Sequence, residues 1–166
     1  QIGVFADMVE KGLVYKGRKP VFWCIDCQTA LAAAEIEYED ETSPSVYVAY
    51  PLITSGNSAV EEAIRGREVY VVVWTTTPWT LPASLAVAIH PDFDYAFVPA
   101  RDGKVFIIAK ALKGKVASVT GLELGEPLLT VKGRDLAKAR ALHPFYDDRE
   151  LIFALAEYVG LDQGTG

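Results

Sequence analysis

The sequence has 166 residues, 51% of them apolar, a net charge of −6 and only two cysteines. That length and apolar content sustain one hydrophobic core with an appendage and exclude a disordered chain. The acidic balance excludes a protein that coats nucleic acid without sequence preference, since such binding rests on phosphate neutralisation, and two cysteines exclude a disulfide-built secreted framework.

Taken in order, residues 5–14 read as the last turns of a helix, with Phe5, Val9 and Leu13 on one face, Met8 beside them and Gly12 at the expected end. Residues 14–23 read as a short extended segment broken by Gly17 and Pro20. Cys24-Ile25-Asp26-Cys27 follows, a spacing that lets two thiolates hold one tetrahedral zinc ion. A closed structural site needs four ligands, and neither His90 nor His143 stands in a second ligand pair. Half a zinc site and two unmetallated thiols are both open readings, while a thioredoxin-like redox motif lacks its βαβ context. Residues 29–36 form an Ala-rich helical turn or loop, and the alternation of Ile36 and Tyr38 with Glu35 and Glu37 predicts a strand over 35–38. The acidic run 37–41 and Thr42-Ser43-Pro44-Ser45 mark a boundary, giving a segment 1–44 and a domain 45–166.

From Ser45 the pattern turns to strands: 46–50, 68–74, 85–89, 95–99, 105–109, 117–120, 128–131 and 151–159. Asp102-Gly103, Lys113-Gly114 and Gly125-Glu126-Pro127 punctuate them, and residues 59–65 and 135–142 read as short helices. The expected class is mainly β (α+β), a compact β-barrel with a few short helices. No apolar run reaches the length of a membrane span, and no charged–apolar–small leader opens the sequence; with only two cysteines, and those not a secreted framework, a cytoplasmic location is the expectation. The opening Gln1 and the closing Asp162-Gln163-Gly164-Thr165-Gly166 suggest a piece of a larger protein. Three basic clusters, around Lys16, Lys110 and Lys138, read as solvated surface.

The stretch Val71-Val72-Val73-Trp74-Thr75-Thr76-Thr77-Pro78-Trp79-Thr80-Leu81-Pro82 stands out. A β-branched strand runs into hydroxyls, and Pro78 and Pro82 stop it. Hydroxyls donate and accept hydrogen bonds without charge, so a run of them at a strand end beside an indole can line a small polar pocket.

With its flanks, this stretch carries a resemblance. Trp23-Cys24-Ile25-Asp26-Cys27-Gln28-Thr29-Ala30-Leu31, Thr42-Ser43-Pro44-Ser45-Val46-Tyr47-Val48, Trp74 to Pro82, His143-Pro144-Phe145 and Gly164-Thr165-Gly166 resemble the inserted editing domain of class I aminoacyl-tRNA synthetases, across essentially the whole chain. Thr77 and Trp79 stand where valine and leucine members carry an arginine and an acidic residue, so the likeness is to isoleucyl-tRNA synthetases.

The resemblance implies an editing β-barrel over 45–166, C-terminally incomplete, behind a linker 1–44 from the synthetase body that carries the C-x-x-C half-site. It implies hydrolysis of Val-tRNA(Ile), and of valyl-adenylate, by a positioned water, since one missing methylene is worth only about 1–3 kcal/mol at a synthetic site. Thr75, Thr76 and Thr77 carry over as residues that hydrogen-bond substrate or water, Trp79 as part of a size-sensing wall, and Thr80 as a support. Ser84 stands near a position where the family often has asparagine. The implied partners are the 3′ end of tRNA(Ile) charged with valine and the rest of the synthetase chain. No membrane is involved. The editing domain needs no cofactor. Cys24 and Cys27 supply half of a zinc site completed, in some relatives, by cysteines beyond the insertion, while ATP and magnesium belong to the parent's synthetic domain. The family continues past Gly166 into a His- and Asp-bearing segment that binds the α-ammonium group. A catalytically incomplete module that only binds the tRNA 3′ end is therefore the alternative, and a zinc-knuckle nucleic-acid protein is disfavoured by the negative charge.

Overall fold

A computed structural model describes all residues, Gln1–Gly166. The chain divides into two compact units, Gln1–Thr42 and Ser43–Gly166.

In the first unit, helix α1 (Ile2–Glu10) ends ahead of Gly12, whose φ of 70° reverses the chain. Strands β1 (Trp23–Cys24) and β2 (Thr29–Ala30) form a small antiparallel hairpin around the cysteine turn. A 3₁₀ turn, Ala33–Glu35, follows, with the Glu35 carboxylate accepting the Ala32 N–H at 2.7 Å. The strand expected over 35–38 does not form: alternation makes a ladder only where a second strand offers its backbone, and none pairs here. The same shortage of partners leaves most of 14–22 outside any regular element.

The second unit is built on β3 (Val46–Thr54), β4 (Val69–Thr75), β5 (Ala86–Ile89), β6 (Asp94–Pro99), β7 (Val105–Ala109), β8 (Leu129–Lys132), β9 (Arg140–Leu142) and β10 (Glu150–Leu155). Their order in the sheet is β5-β10-β9-β3-β4-β7-β6-β8. Two pairs are parallel, β10 with β5 and β4 with β7, and the rest are antiparallel. Strand β3 changes partner along its length: residues 46–51 pair with β4, and after an irregularity Leu52 and Thr54 pair with β9. The mainly β class with few short helices is as expected. The barrel does not close through its ladder, because β5 and β8 each have a single neighbour and do not pair with each other.

The core gathers Tyr50, Val71, Tyr95, Phe97, Ile107, Leu136 and Leu151 from five strands and one turn. Two elements differ from the sequence reading. Residues 117–120 belong to helix α3 (Lys113–Thr120), despite Val116, Val119 and Thr120. Gly121, at φ 71°, supplies a left-handed helix end, Thr120 Oγ1 donates to the Val116 carbonyl at 2.7 Å, and only Val116 turns into the core. Residues 135–142 are no helix either: Gly133–Leu136 is a 3₁₀ turn and Arg140–Leu142 becomes β9, between β10 and β3. Two ladders outweigh the helix preference of Ala and Leu at these positions.

Between β3 and helix α2 (Ser58–Ala63), the Glu61 carboxylate accepts the Ser55 N–H at 2.5 Å, the Ser55 hydroxyl at 2.8 Å and the Thr54 hydroxyl at 2.9 Å. No helix of the chain is long and apolar enough to cross a membrane.

Candidate active site

Strand β4, with a neighbour on each side, ends at Thr75, so the threonine run begins at the end of a strand. Pro78, with φ preset and no N–H to satisfy, opens a 3₁₀ turn over Pro78–Ala83. The hydroxyls then find one another. Thr75 Oγ1 accepts the Thr77 N–H at 3.0 Å and lies 3.1 Å from Thr77 Oγ1, which lies 3.4 Å from Thr80 Oγ1. Thr80 Oγ1 donates to the Thr77 carbonyl at 2.7 Å. Thr75, Thr77 and Thr80 thus form one chain of hydroxyls. Thr76 is half-buried but outside it, and Ser84 sits at the end of the turn, its N–H on the Leu81 carbonyl and its hydroxyl not bonded to the threonines. Trp79 is 70% exposed and projects from the same turn. No carboxylate or imidazole hydrogen-bonds any of these hydroxyls, so a threonine nucleophile has no base.

The turn is held from the β9–β10 loop, by residues that sequence reasoning left out. His143 Nε2 lies 2.9 Å from the Leu81 carbonyl, and Arg149 Nη1 donates to the Pro82 carbonyl at 2.5 Å. His-Pro-Phe at 143–145 was visible only as part of a resemblance. What marks it physically is a histidine directly after a strand, where a ring can turn inward.

A cavity of about 350 Å³ opens beside the threonine strand, between residues 71–74 of β4 and 86–89 of β5, with Tyr158 and 163–166 on its remaining side. Thr75, Thr76 and Thr77 are not among its lining residues. The lining reaches Trp74 and stops there. The Gly164-Thr165-Gly166 segment wedges in where β4 and β7 part: their ladder ends at Val71 and Ile107, and beyond it Ala109 N–H donates to the Thr165 carbonyl at 3.0 Å. Gly164 and Gly166 take φ of 76° and 84°, and a Cβ on them would stand 3.3 Å from the Trp74 ring and 2.3 Å from Ala109 Cβ. Only glycine fits both demands. A larger cleft, about 660 Å³, lies against α2, reaches Val69 at the other end of β4 from Thr75, and is lined by Glu61, Glu62 and Arg65 among others.

At the β1–β2 hairpin, the Cys27 N–H donates to Cys24 Sγ at 3.3 Å, and Gln28 takes a left-handed φ of 53°. That N–H, pointed at the sulfur, holds the Cys24 thiol below its ordinary value. The two thiols supply half of a tetrahedral donor set, and no group of three or more His, Cys, Asp or Glu side chains gathers anywhere in the chain. These residues alone do not fit a closed zinc site.

Comparison with known proteins follows the same lines. Residues 1–157 match the family model of class I tRNA synthetases (I, L, M and V). The chain is 45% identical over all its length to the isoleucine–tRNA ligase of Desulforamulus reducens, 47% to that of Geobacillus thermodenitrificans, and 48% over 97% of its length to that of Geobacter sulfurreducens. It spans only about 17% of the length of these relatives. Among solved structures, the crystal structure of GlLeuRS-CP1 aligns with a TM-score of 0.61 at 18% identity, over 74% of this chain and 51% of that one. The editing domain of the P. knowlesi cytosolic leucyl-tRNA synthetase aligns with a TM-score of 0.59 at 14% identity, over 73% and 55%. At such identities the likeness is one of fold. The pattern, the fold and the relatives agree: the chain belongs to the class I tRNA synthetases of the isoleucine, leucine, methionine and valine group.

Proposed function

We propose that this chain is the editing segment of an isoleucine–tRNA ligase and that it hydrolyses valine from tRNA(Ile). The observation that carries this reading is the hydroxyl chain Thr75–Thr77–Thr80, set beside Trp79 and next to a cavity of amino-acid size. The reaction asks little of a nucleophile. Water attacks the ester carbonyl, the bond to the terminal ribose oxygen breaks, and valine and uncharged tRNA leave. An activated ester needs a held water and stabilised oxyanion charge, which neutral hydroxyls at fixed spacing supply. Isoleucine is refused by size. The cytoplasm, where charged tRNA is used, is the matching location, and the rest of the ligase is the covalent partner.

A second reading keeps the same ligand without turnover. No carboxylate or imidazole bonds to the threonines, which suits a module that holds the aminoacylated 3′ end while other parts of the ligase complete the site. One experiment separates them: Val-tRNA(Ile) is mixed with the ligase carrying wild-type or Thr77→Val sequence, and deacylation is followed. Loss of about tenfold or more in rate on removing the central hydroxyl supports the hydrolytic reading. An unchanged rate sinks the role given to the threonines. Binding by the isolated chain without release favours the holding module for this segment.

A further inference from the structure

His143 is 2% exposed and lies under the turn that carries Trp79 and Thr80. Its ring atoms have fixed roles. Nδ1 is 3.1 Å from the Phe145 N–H, which can only donate, so Nδ1 accepts. Nε2 is 2.9 Å from the Leu81 carbonyl, which can only accept, so Nε2 carries the hydrogen. Tyr50 and Tyr146 pack around the ring, with centroids 6.4 and 4.8 Å away. The neighbouring carbonyl, Pro82, is taken by Arg149, whose guanidinium stacks 4.4 Å over Tyr146.

Two successive carbonyls of one 3₁₀ turn are therefore gripped from the β9–β10 loop, from more than sixty residues away in sequence. The turn makes only short-range bonds of its own: Thr80 N–H and Thr80 Oγ1 both reach the Thr77 carbonyl, and Ser84 N–H reaches Leu81. Nothing in that local set fixes the turn's orientation relative to β4. The 3.1 and 3.4 Å spacings of the hydroxyl chain depend on that orientation, because Thr75 lies on the strand and Thr80 on the turn.

We infer that His143 and Arg149 are positioning residues for the hydrolytic site: they set Thr80 and Trp79 against Thr75 and Thr77 without touching substrate. This rests on the reading that the threonine turn is where Val-tRNA is hydrolysed.

The test uses the full-length ligase and two near-isosteric changes. Gln places an amide donor where Nε2 stands and can reach the Leu81 carbonyl, whereas Asn reproduces only the Nδ1 acceptor and falls short of it. His143→Asn is expected to lower kcat for Val-tRNA deacylation about tenfold with KM little changed, and His143→Gln to recover it to within about threefold, since an ångström of misplacement costs rate more than binding. Thermal unfolding is read on the same samples. If both variants lose stability alike while kcat stays at the wild-type value, the histidine is packing only and the proposal is wrong. Arg149→Met guards against a core variant that fails to fold, since Arg149 is only half-buried whereas His143 is fully buried. It is expected to lower kcat about threefold at unchanged melting temperature, and an unchanged kcat counts against the proposal. Thr77→Val, run in parallel, separates the two levels. If it leaves deacylation intact, the location of the site is wrong. If it abolishes deacylation while His143→Asn and Arg149→Met do not, the site stands and the positioning role falls.

Discussion

Replacing Glu61 tests how much the close of β3 depends on one carboxylate. Its Oε1 accepts three hydrogen bonds, two from Ser55 and one from Thr54, and Ser55 is wholly buried. Glu61→Gln keeps an oxygen acceptor but removes the charge. Bonds to a charged acceptor are worth about 1.5–3 kcal/mol each and neutral ones about 1, so with partial exposure the expected loss is about 1–2 kcal/mol at neutral pH. Glu61→Ala also strands the Ser55 N–H, although the Ser55 hydroxyl keeps its bond to the Asn57 carbonyl, so about 2–4 kcal/mol is expected. The pH dependence sharpens the test. Burial by itself would raise the Glu61 carboxyl, but the bonds from Ser55, Thr54 and Gly56 outweigh it and hold it below its ordinary 4.5. A group lowered on folding stabilises fully above its unfolded value, and that share is lost as pH falls through the folded one. In urea unfolding from about pH 7 to about pH 3, the gap between wild type and Glu61→Gln should therefore be widest near neutrality and close on acidification. A gap that stays constant across that range, or none at pH 7, would refute the role given to the carboxylate.

Other changes are as specific. Leu136→Ala empties a fully buried position and should cost about 2–5 kcal/mol by denaturant unfolding. Gly133→Ala would set a Cβ 2.0 Å from the His90 carbonyl oxygen, a backbone atom that cannot swing aside, so a loss of about 1–3 kcal/mol is expected in the same measurement. Cys24, with its thiol lowered by the Cys27 N–H, should be alkylated by iodoacetamide faster than Cys27 at neutral pH, as peptide mass spectrometry would read; equal rates would remove the case for a thiolate-favouring hairpin.

The strand β4 and the Thr-Pro-Trp turn were legible because their chemistry is local: β-branched residues make the strand, and two prolines end it. Helix α3 and β9 were not. Residues 117–120 look like a strand until Gly121 is known to turn left-handed, and 140–142 look helical until β3 and β10 offer two ladders at once. Of the site, the hydroxyls were readable as a set, but not which of them meet. Thr80 joins Thr75 and Thr77 because the 3₁₀ turn folds it back, while Thr76, at the bend just past the strand end, stays outside the chain of hydroxyls. His143 and Arg149 act across a gap in sequence that no spacing rule covers.

The change of partner along β3 bears on how this unit comes apart. One continuous strand serves both ladders, so detaching either the β4–β7 side or the β9–β10 side strips backbone partners from β3. Opening should then be all-or-none: amide protons in β4 and in β10 ought to exchange with a common free energy, while those of the β1–β2 hairpin, which shares no ladder with β3, exchange on their own schedule.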